Sequence, residues 1–120
     1  MWIFLIIILI HWISDFVLQP RIMGENKSKS FAWLGLHCLV YTFVTIIGWG
    51  LFVDFTIQTL YTSAYLIYST HYLTDYISSN MTTSLAKKKR WYLFFTTIGF
   101  DQVLHYTQLF LIYNYIILNI

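Results

Sequence analysis

The sequence has little charge and almost no cysteine or proline. Of its 120 residues 10% are charged, 58% are hydrophobic and 21% are aromatic, with one cysteine and one proline. Soluble domains carry about 25% charged residues, so this chain has too few to cover a water-facing surface. A single cysteine excludes an internal disulfide framework, and a net charge of +2 excludes a basic nucleic-acid-binding domain. The composition predicts a membrane protein.

The hydrophobic residues fall into long segments separated by short polar ones. A helix that crosses a bilayer needs about 20 apolar residues. The predicted fold is all-α, with residues 1–120 forming a single domain of four transmembrane helices, at about 1–19, 31–52, 55–78 and 97–118. A signal peptide is the alternative for the first segment. It is disfavoured because no basic residue precedes the apolar run, no small-residue cleavage site follows it, and the run contains His11 and Asp15.

The basic residues predict how the four spans are oriented. All seven lie between spans one and two or between spans three and four: Arg21, Lys27, Lys29, Lys87, Lys88, Lys89 and Arg90. By the positive-inside rule both loops face the cytoplasm and both termini lie outside. We therefore expect an integral protein of a bacterial inner membrane.

Seven ionisable residues lie within the predicted spans. They are His11, Asp15, His37, His71, Asp75, Asp101 and His105. An aspartate at the centre of a membrane helix costs roughly 2.5–3.5 kcal/mol. None of the lysines or arginines lies in a span, so the aspartates are expected to have no basic partner. Their counter-charge must then be protons, imidazolium or a metal.

The spacing of these residues predicts that they converge. His11 and Asp15, His71 and Asp75, and Asp101 and His105 are each separated by four residues, so each pair shares one helix face. In every pair the aspartate is the member nearer the cytoplasm, with the histidine about 6 Å deeper. Histidine and aspartate on neighbouring helices favour a divalent metal such as Zn²⁺, Mn²⁺ or Fe²⁺. Three carboxylates, two dications and a bridging hydroxide sum to zero charge, so one or two ions are expected.

The motifs also resemble a known family. The run from His11 to Gln19 (HWISDFVLQ), Glu25 to Lys29 (ENKSK), His71 to Asp75 (HYLTD) and Asp101 to His105 (DQVLH) resemble domain of unknown function 3307, a small membrane family of phages and bacteria. The chain is more distantly similar to membrane-bound metal-dependent hydrolases. The resemblance implies an integral membrane protein rich in histidine and aspartate. It also gives Lys27 and Lys29 a place beside the first motif, where they could meet an anionic headgroup.

The expected function is a membrane-embedded, metal-dependent hydrolase acting on a phospholipid or lipid-linked phosphate from the cytoplasmic leaflet. The four histidines and some of the aspartates Asp15, Asp75 and Asp101 would be metal ligands, and a remaining aspartate would be the general base. Gln19 and Gln102 would orient ligands.

The alternatives are a small proton or metal conduit, and a non-catalytic phage membrane protein that binds a host partner and holds a structural metal. A homo-oligomer is plausible, and no nucleic-acid partner is expected.

Overall fold

The computed structural model describes residues 1–119, and these residues form helices joined by short turns. Helix α1 (Trp2–Trp12) leads into a π-helical turn (Ile13–Val17), and a short helix α2 (Arg21–Asn26) follows Pro20. The three long helices are α3 (Phe31–Trp49), α4 (Ile57–Lys87) and α5 (Trp91–Ile112), and a second π-helical turn (Tyr113–Ile117) follows α5. The predicted all-α class is confirmed.

The long helices form a bundle. Helix α1 packs against α3 and α5, and α4 packs against α3 and α5, so α1 and α4 lie diagonally across the bundle. Helix α3 begins at Ser30, whose side chain accepts a hydrogen bond from the Trp33 amide, and α4 begins with a reciprocal capping pair between Thr56 and Thr59. These caps satisfy amides that have no partner within the helix. Because successive long helices run in opposite directions, both basic loops lie at one end of the bundle.

One helix is longer than its predicted span, one begins earlier than predicted, and one segment is interrupted. Helix α4 does not end near Ser78 but continues to Lys87, and α5 already begins at Trp91. The first predicted segment changes to π geometry at Ile13, as the Leu18 amide bonds the Ile13 carbonyl at 2.9 Å. A π turn adds one residue to the helical repeat and is frequent at functional sites. Here it carries Asp15 towards the centre of the bundle.

The interior of the bundle has an apolar layer and a polar layer. Ile7, Tyr41, Trp49, Ile67 and Leu109 belong to the apolar cluster, which occupies the end away from the basic loops. The polar layer lies on the other side of it and contains the histidines and aspartates. Among the described residues, buried polar side chains outnumber buried hydrophobic ones, 13 to 11.

The outer surface is strongly apolar. On α3, for example, Leu39, Phe43 and Ile47 are more than half exposed. In the part of the chain that the structure describes, α3 is the one helix long and apolar enough to cross a membrane, and Trp2–Val17 is an apolar helical segment of shorter length. One such helix is a weak indication, because a buried helix of a soluble protein has the same composition.

Candidate metal centre

Four side chains from three helical segments meet at the centre of the polar layer. The Nε2 atom of His37 lies 3.0 Å from Asp15 Oδ1 and 3.1 Å from Asp75 Oδ2. The Nε2 atom of His71 lies 3.6 Å from each of the same two oxygens and 3.0 Å from His37 Nε2. All four residues are buried. We call Asp15, His37, His71 and Asp75 the metal quartet.

The quartet is close in size to a tetrahedral metal site. With metal–nitrogen and metal–oxygen bonds of 2.0–2.2 Å, the edges of a coordination tetrahedron are about 3.3–3.6 Å. Of five separations within the quartet, two are 3.6 Å and three are 3.0–3.1 Å, slightly shorter than these edges. Asp15 Oδ1 is buried and meets no hydrogen-bond donor in suitable geometry. A cation between these atoms would satisfy the orphan carboxylate oxygen, so the residues fit a divalent metal.

A second group shares Asp15 with the quartet. Asp15, Asp101 and His105 each offer an atom within 4.8 Å of the other two. His105 Nδ1 donates to the Asp101 backbone carbonyl at 2.7 Å, which leaves the Nε2 lone pair free. That lone pair is buried without a partner and faces Asp75 Oδ1 at 3.4 Å. Two facing acceptors repel each other unless a proton or a metal lies between them, so this group could hold a second ion.

His11 lies outside both groups, although the sequence placed it among the ligands. Its Nε2 bonds Gln102 Oε1 at 2.7 Å and its Nδ1 bonds the Tyr41 hydroxyl at 2.8 Å. Since the amide oxygen only accepts, Nε2 donates and Nδ1 accepts, which leaves His11 without a free lone pair. Gln102 Nε2 also donates to Asp101 Oδ2 at 3.0 Å. Gln102 thus connects His11 to the Asp101 carboxylate.

Tyr41 is a site residue that the sequence reasoning missed. Its ring stacks on His71, with centroids 3.7 Å apart and planes 9° from parallel. Its hydroxyl bonds His11 on the opposite wall of the site. Tyr41 therefore fixes the plane of one quartet imidazole. The signal was its position four residues after His37, on the same face of α3.

The expectation that the aspartates lack a basic partner is wrong. Lys27 Nζ donates to Asp75 Oδ2 at 2.8 Å, and the lysine side chain is 17% exposed. The lysine starts in the turn between α2 and α3, and its flexible four-carbon stem lets the ammonium group reach into the bundle. Burial lowers the pKa of Lys27, but the Asp75 and Asp15 carboxylates outweigh this effect and hold the pKa above its ordinary value. Lys27 is therefore charged at neutral pH.

This ion pair changes the charge count of the site. Three carboxylates and one ammonium group sum to −2, which a single dication neutralises. Two dications with a bridging hydroxide would instead leave +1. Charge balance therefore favours one ion at the quartet while Lys27 is in place.

The two remaining sequence candidates lie at the edge of the site. Gln19 lies beyond the π turn, and its Oε1 atom is buried without a partner. Lys29 is exposed and lines a small hollow together with Tyr76 and Asn80 of α4. The structure thus brings Lys27 to the metal quartet but not Lys29.

A cavity of about 370 Å³ leads from the end of the bundle that carries the basic loops to the aspartates. Asp15, Asp75 and Asp101 lie in its wall, and the histidines lie behind them. Its mouth carries Arg21 and Glu25, which form an ion pair at 2.7 Å. Small hydroxyl side chains of α4, among them Ser79 and Thr82, complete the lining. The quartet is therefore reachable from one side.

The fold and the site together define an all-α bundle with a buried Asp/His cluster that could hold a metal ion. The chain belongs to the family described as Protein of unknown function (DUF3307), whose family model matches residues 3–120. No curated protein and no solved structure matches the chain.

Proposed function

We propose that this protein is a membrane-embedded, metal-dependent hydrolase. The observation that carries the proposal is the metal quartet, in which two imidazole nitrogens and two carboxylate oxygens lie 3.0–3.6 Å apart beside an open cavity. Four protein ligands would fill a tetrahedral shell, so hydrolysis would require a fifth coordination position for water on the side of the cavity, where Asp15 and Asp75 lie in the wall. Zinc is the ion that best fits nitrogen and oxygen ligands in this geometry, and manganese or iron are also compatible.

The distribution of polar and apolar residues supports a membrane location with four spans. Ionisable and hydroxyl side chains are buried inside the bundle, while large hydrophobic side chains cover its outside. This is the reverse of the usual arrangement in a soluble domain. Helices α4 and α5 are less hydrophobic than α3 because they carry the site residues and many tyrosine, serine and threonine side chains. Both basic loops lie at the same end, as a cytoplasmic orientation of these loops requires.

The aspartates take different roles in this proposal. Asp15 and Asp75 belong to the quartet and would hold the metal with His37 and His71. The metal would supply Lewis acidity and a water of lowered pKa. Asp101 is left as the general base, because its Oδ1 atom is buried without a partner in the cavity wall while Gln102 holds Oδ2. Its free oxygen can accept a proton from a water that enters the cavity.

The proposed substrate is a phospholipid or a lipid-linked phosphate that enters from the cytoplasmic leaflet. The cavity opens at the end where the basic loops lie, and Lys27 and Arg21 contribute positive charge to its wall. The carboxylates of the wall would repel a phosphate in the absence of a cation. A bound dication offsets this repulsion, so substrate binding is expected to depend on the metal.

Metal content is the measurement that tests the proposal first. Elemental mass spectrometry of the protein purified in detergent without chelator should show close to one zinc, manganese or iron per chain. The double variant His71→Ala/Asp75→Ala should lose the metal. A metal-loaded protein would then be assayed for phosphate or headgroup release from lipids. A folded wild-type protein with no bound metal would overturn the hydrolase proposal.

One observation favours the alternative function of a proton or metal conduit. Buried polar side chains continue beyond the quartet into the half of the bundle away from the basic loops. Thr45 and Trp49 are fully buried on α3, Ser63 is fully buried on α4, and their polar atoms have no protein partner. Thr45 and Ser63 lie eight residues beyond His37 and His71 on antiparallel helices, about 12 Å from the quartet level. Uptake of protons or zinc into sealed proteoliposomes would support this alternative.

A further inference from the structure

We infer that the groove between α4 and α5 binds one acyl chain of an anionic glycerophospholipid whose headgroup lies in the metal cavity. The groove has a volume of about 520 Å³, within the usual range of ligand pockets. Its apolar lining comes from Leu73, Ile77 and Met81 on α4 and from Phe100 and Leu104 on α5. The inference rests on the proposed function, since it assigns the acyl chain of the proposed lipid substrate to the groove and the headgroup to the metal cavity.

The groove and the metal cavity share a wall. Ser78 and Asp101 line both of them. A molecule that extends from one to the other must therefore be polar and anionic at one end, where it meets the site cation and Lys27, and apolar at the other. A lipid has both properties in one molecule, whereas a soluble phosphate ester would leave the groove empty.

The polar groups of the groove do not demand a polar ligand. Gln108 Nε2 donates to the Thr74 hydroxyl at 2.6 Å, so these two side chains satisfy each other at one end. The remaining wall is dominated by side chains such as Ile77 and Phe100, which are 52% and 62% exposed. Such a patch is unfavourable in water and suited to a hydrocarbon chain.

The direction of the groove also suits an acyl chain. Its lining on α4 runs from Leu73 to Met81, a length of about 12 Å along the helix. It is parallel to the bundle and therefore, in the proposed membrane orientation, parallel to the lipid chains of the bilayer. One chain can thus enter sideways between α4 and α5 and run from Met81 towards Leu73, away from the basic loops, while the headgroup reaches Asp101 past Ser78.

Photolabelling of the full-length protein tests the inference. The probe is phosphatidylglycerol with a diazirine in the middle of one acyl chain, present in nanodiscs that contain the protein. Peptide mass spectrometry should find the label concentrated at Ile77, Phe100 and Leu104. Equal labelling of lipid-facing residues outside the groove, such as Leu39 and Phe43, would overturn the inference, because ordinary boundary lipid labels every exposed apolar face.

A matched pair of variants on α5 gives a second measurement. Thr97 lines the groove, and Thr107 is exposed on the same helix without lining it. Thr97→Trp should reduce groove labelling about tenfold, as a loss of roughly 1.4 kcal/mol would produce, and Thr107→Trp should leave it unchanged. Equal labelling of both variants would count against the groove. If Thr97→Trp does not fold, the wild-type label map decides alone.

Metal analysis of the same samples separates this inference from the proposed function. Bound metal with evenly spread label would overturn the acyl-chain groove and leave the metal centre intact. Label in the groove of a metal-free protein would overturn the hydrolase and support the groove as a lipid site. If a second copy of the chain covers the groove, the probe is excluded and cross-links between groove residues of two copies appear, which would also overturn the inference.

Discussion

The Nε2 atoms of His37 and His71 lie 3.0 Å apart, and both face the same oxygens of Asp15 and Asp75. A neutral imidazole carries one hydrogen and cannot donate it to three neighbours at once. Four nitrogen and oxygen atoms that point at one place are satisfied together by a cation. This arrangement is the basis of the predictions that follow.

Replacing a quartet histidine should remove the metal, whereas replacing His11, which lies outside the quartet, should not. We expect His37→Ala to lose the bound ion. His11→Gln should keep the wild-type stoichiometry with an affinity about 10–100-fold lower, because His11 acts on the quartet only indirectly, through Tyr41, which stacks on His71. Elemental mass spectrometry combined with zinc titration measures both quantities. Loss of metal in both variants to the same extent would contradict the assignment of the quartet.

Metal removal should destabilise the protein. A ligand that binds only the native state contributes about 2.7 kcal/mol at a free concentration of 100 times its dissociation constant. Thermal unfolding in detergent should therefore occur at a lower temperature with a chelator than with added zinc. The variant His71→Ala/Asp75→Ala is the control and should show no difference between the two conditions. An unchanged Tm of the wild-type protein would argue against a site formed in the native state.

Replacing Lys27 should change both stability and metal affinity. Lys27→Met leaves Asp75 without its partner, and breaking a buried ion pair destabilises a protein by about 3–5 kcal/mol in the absence of metal. The site then carries −3 instead of −2, so zinc should bind more tightly and restore part of the stability. Lys29→Met is the matched control, because Lys29 is exposed and outside the quartet. Zinc affinity that falls in Lys27→Met would refute the charge argument.

The Lys27 ion pair also has a defined pH dependence. The pKa of Lys27 is raised in the folded state above its ordinary value of 10.5. Its contribution to stability is therefore fully present below pH 10.5 and is lost as the pH rises through the folded-state pKa. In metal-free protein, chemical denaturation between pH 7 and pH 9 should show no loss of stability from this group. A loss within that interval, present in wild type and absent in Lys27→Met, would contradict the predicted pKa direction.

Two glycines should respond to alanine in opposite ways. A Cβ at Gly48 would lie 2.8 Å from Ile10 Cδ1 and 3.0 Å from two further carbons of the same side chain, so Ile10 would have to leave its rotamer or α1 would have to move away from α3. We expect Gly48→Ala to destabilise the protein by about 1–3 kcal/mol. Gly99 lies within α5, where an added Cβ would meet no atom within 4 Å, and Gly99→Ala should stabilise by about 0.5–1 kcal/mol. Unfolding in denaturant compares the two, and destabilisation by both would contradict the close approach of α1 to α3.

Several features of this protein follow from the sequence alone. The four-residue spacing of His71 and Asp75 and of Asp101 and His105 places each pair on one helix face, since the period of the α-helix requires it. The length of the apolar segments predicts an all-helical fold, because each is long enough for a membrane-spanning helix. The family is recognisable from the motifs because these residues lie close together in the chain. These properties depend on local order, which a linear sequence records directly.

Other features were decided by the tertiary structure. Asp15 joins the quartet through a π turn that the helical pattern does not reveal, and Tyr41 stacks on His71 across two helices. Lys27 lies outside every predicted span, yet it reaches Asp75, 48 residues further along the chain, because its side chain is long and the turn between α2 and α3 lies over the cavity. His11 has the same spacing to Asp15 that the other pairs have, but neighbours from α3 and α5 occupy both its nitrogens. Contacts between distant segments decide which nitrogen, oxygen or ammonium group is available to bind a metal or to form an ion pair. Only the packing of the helices determines those contacts.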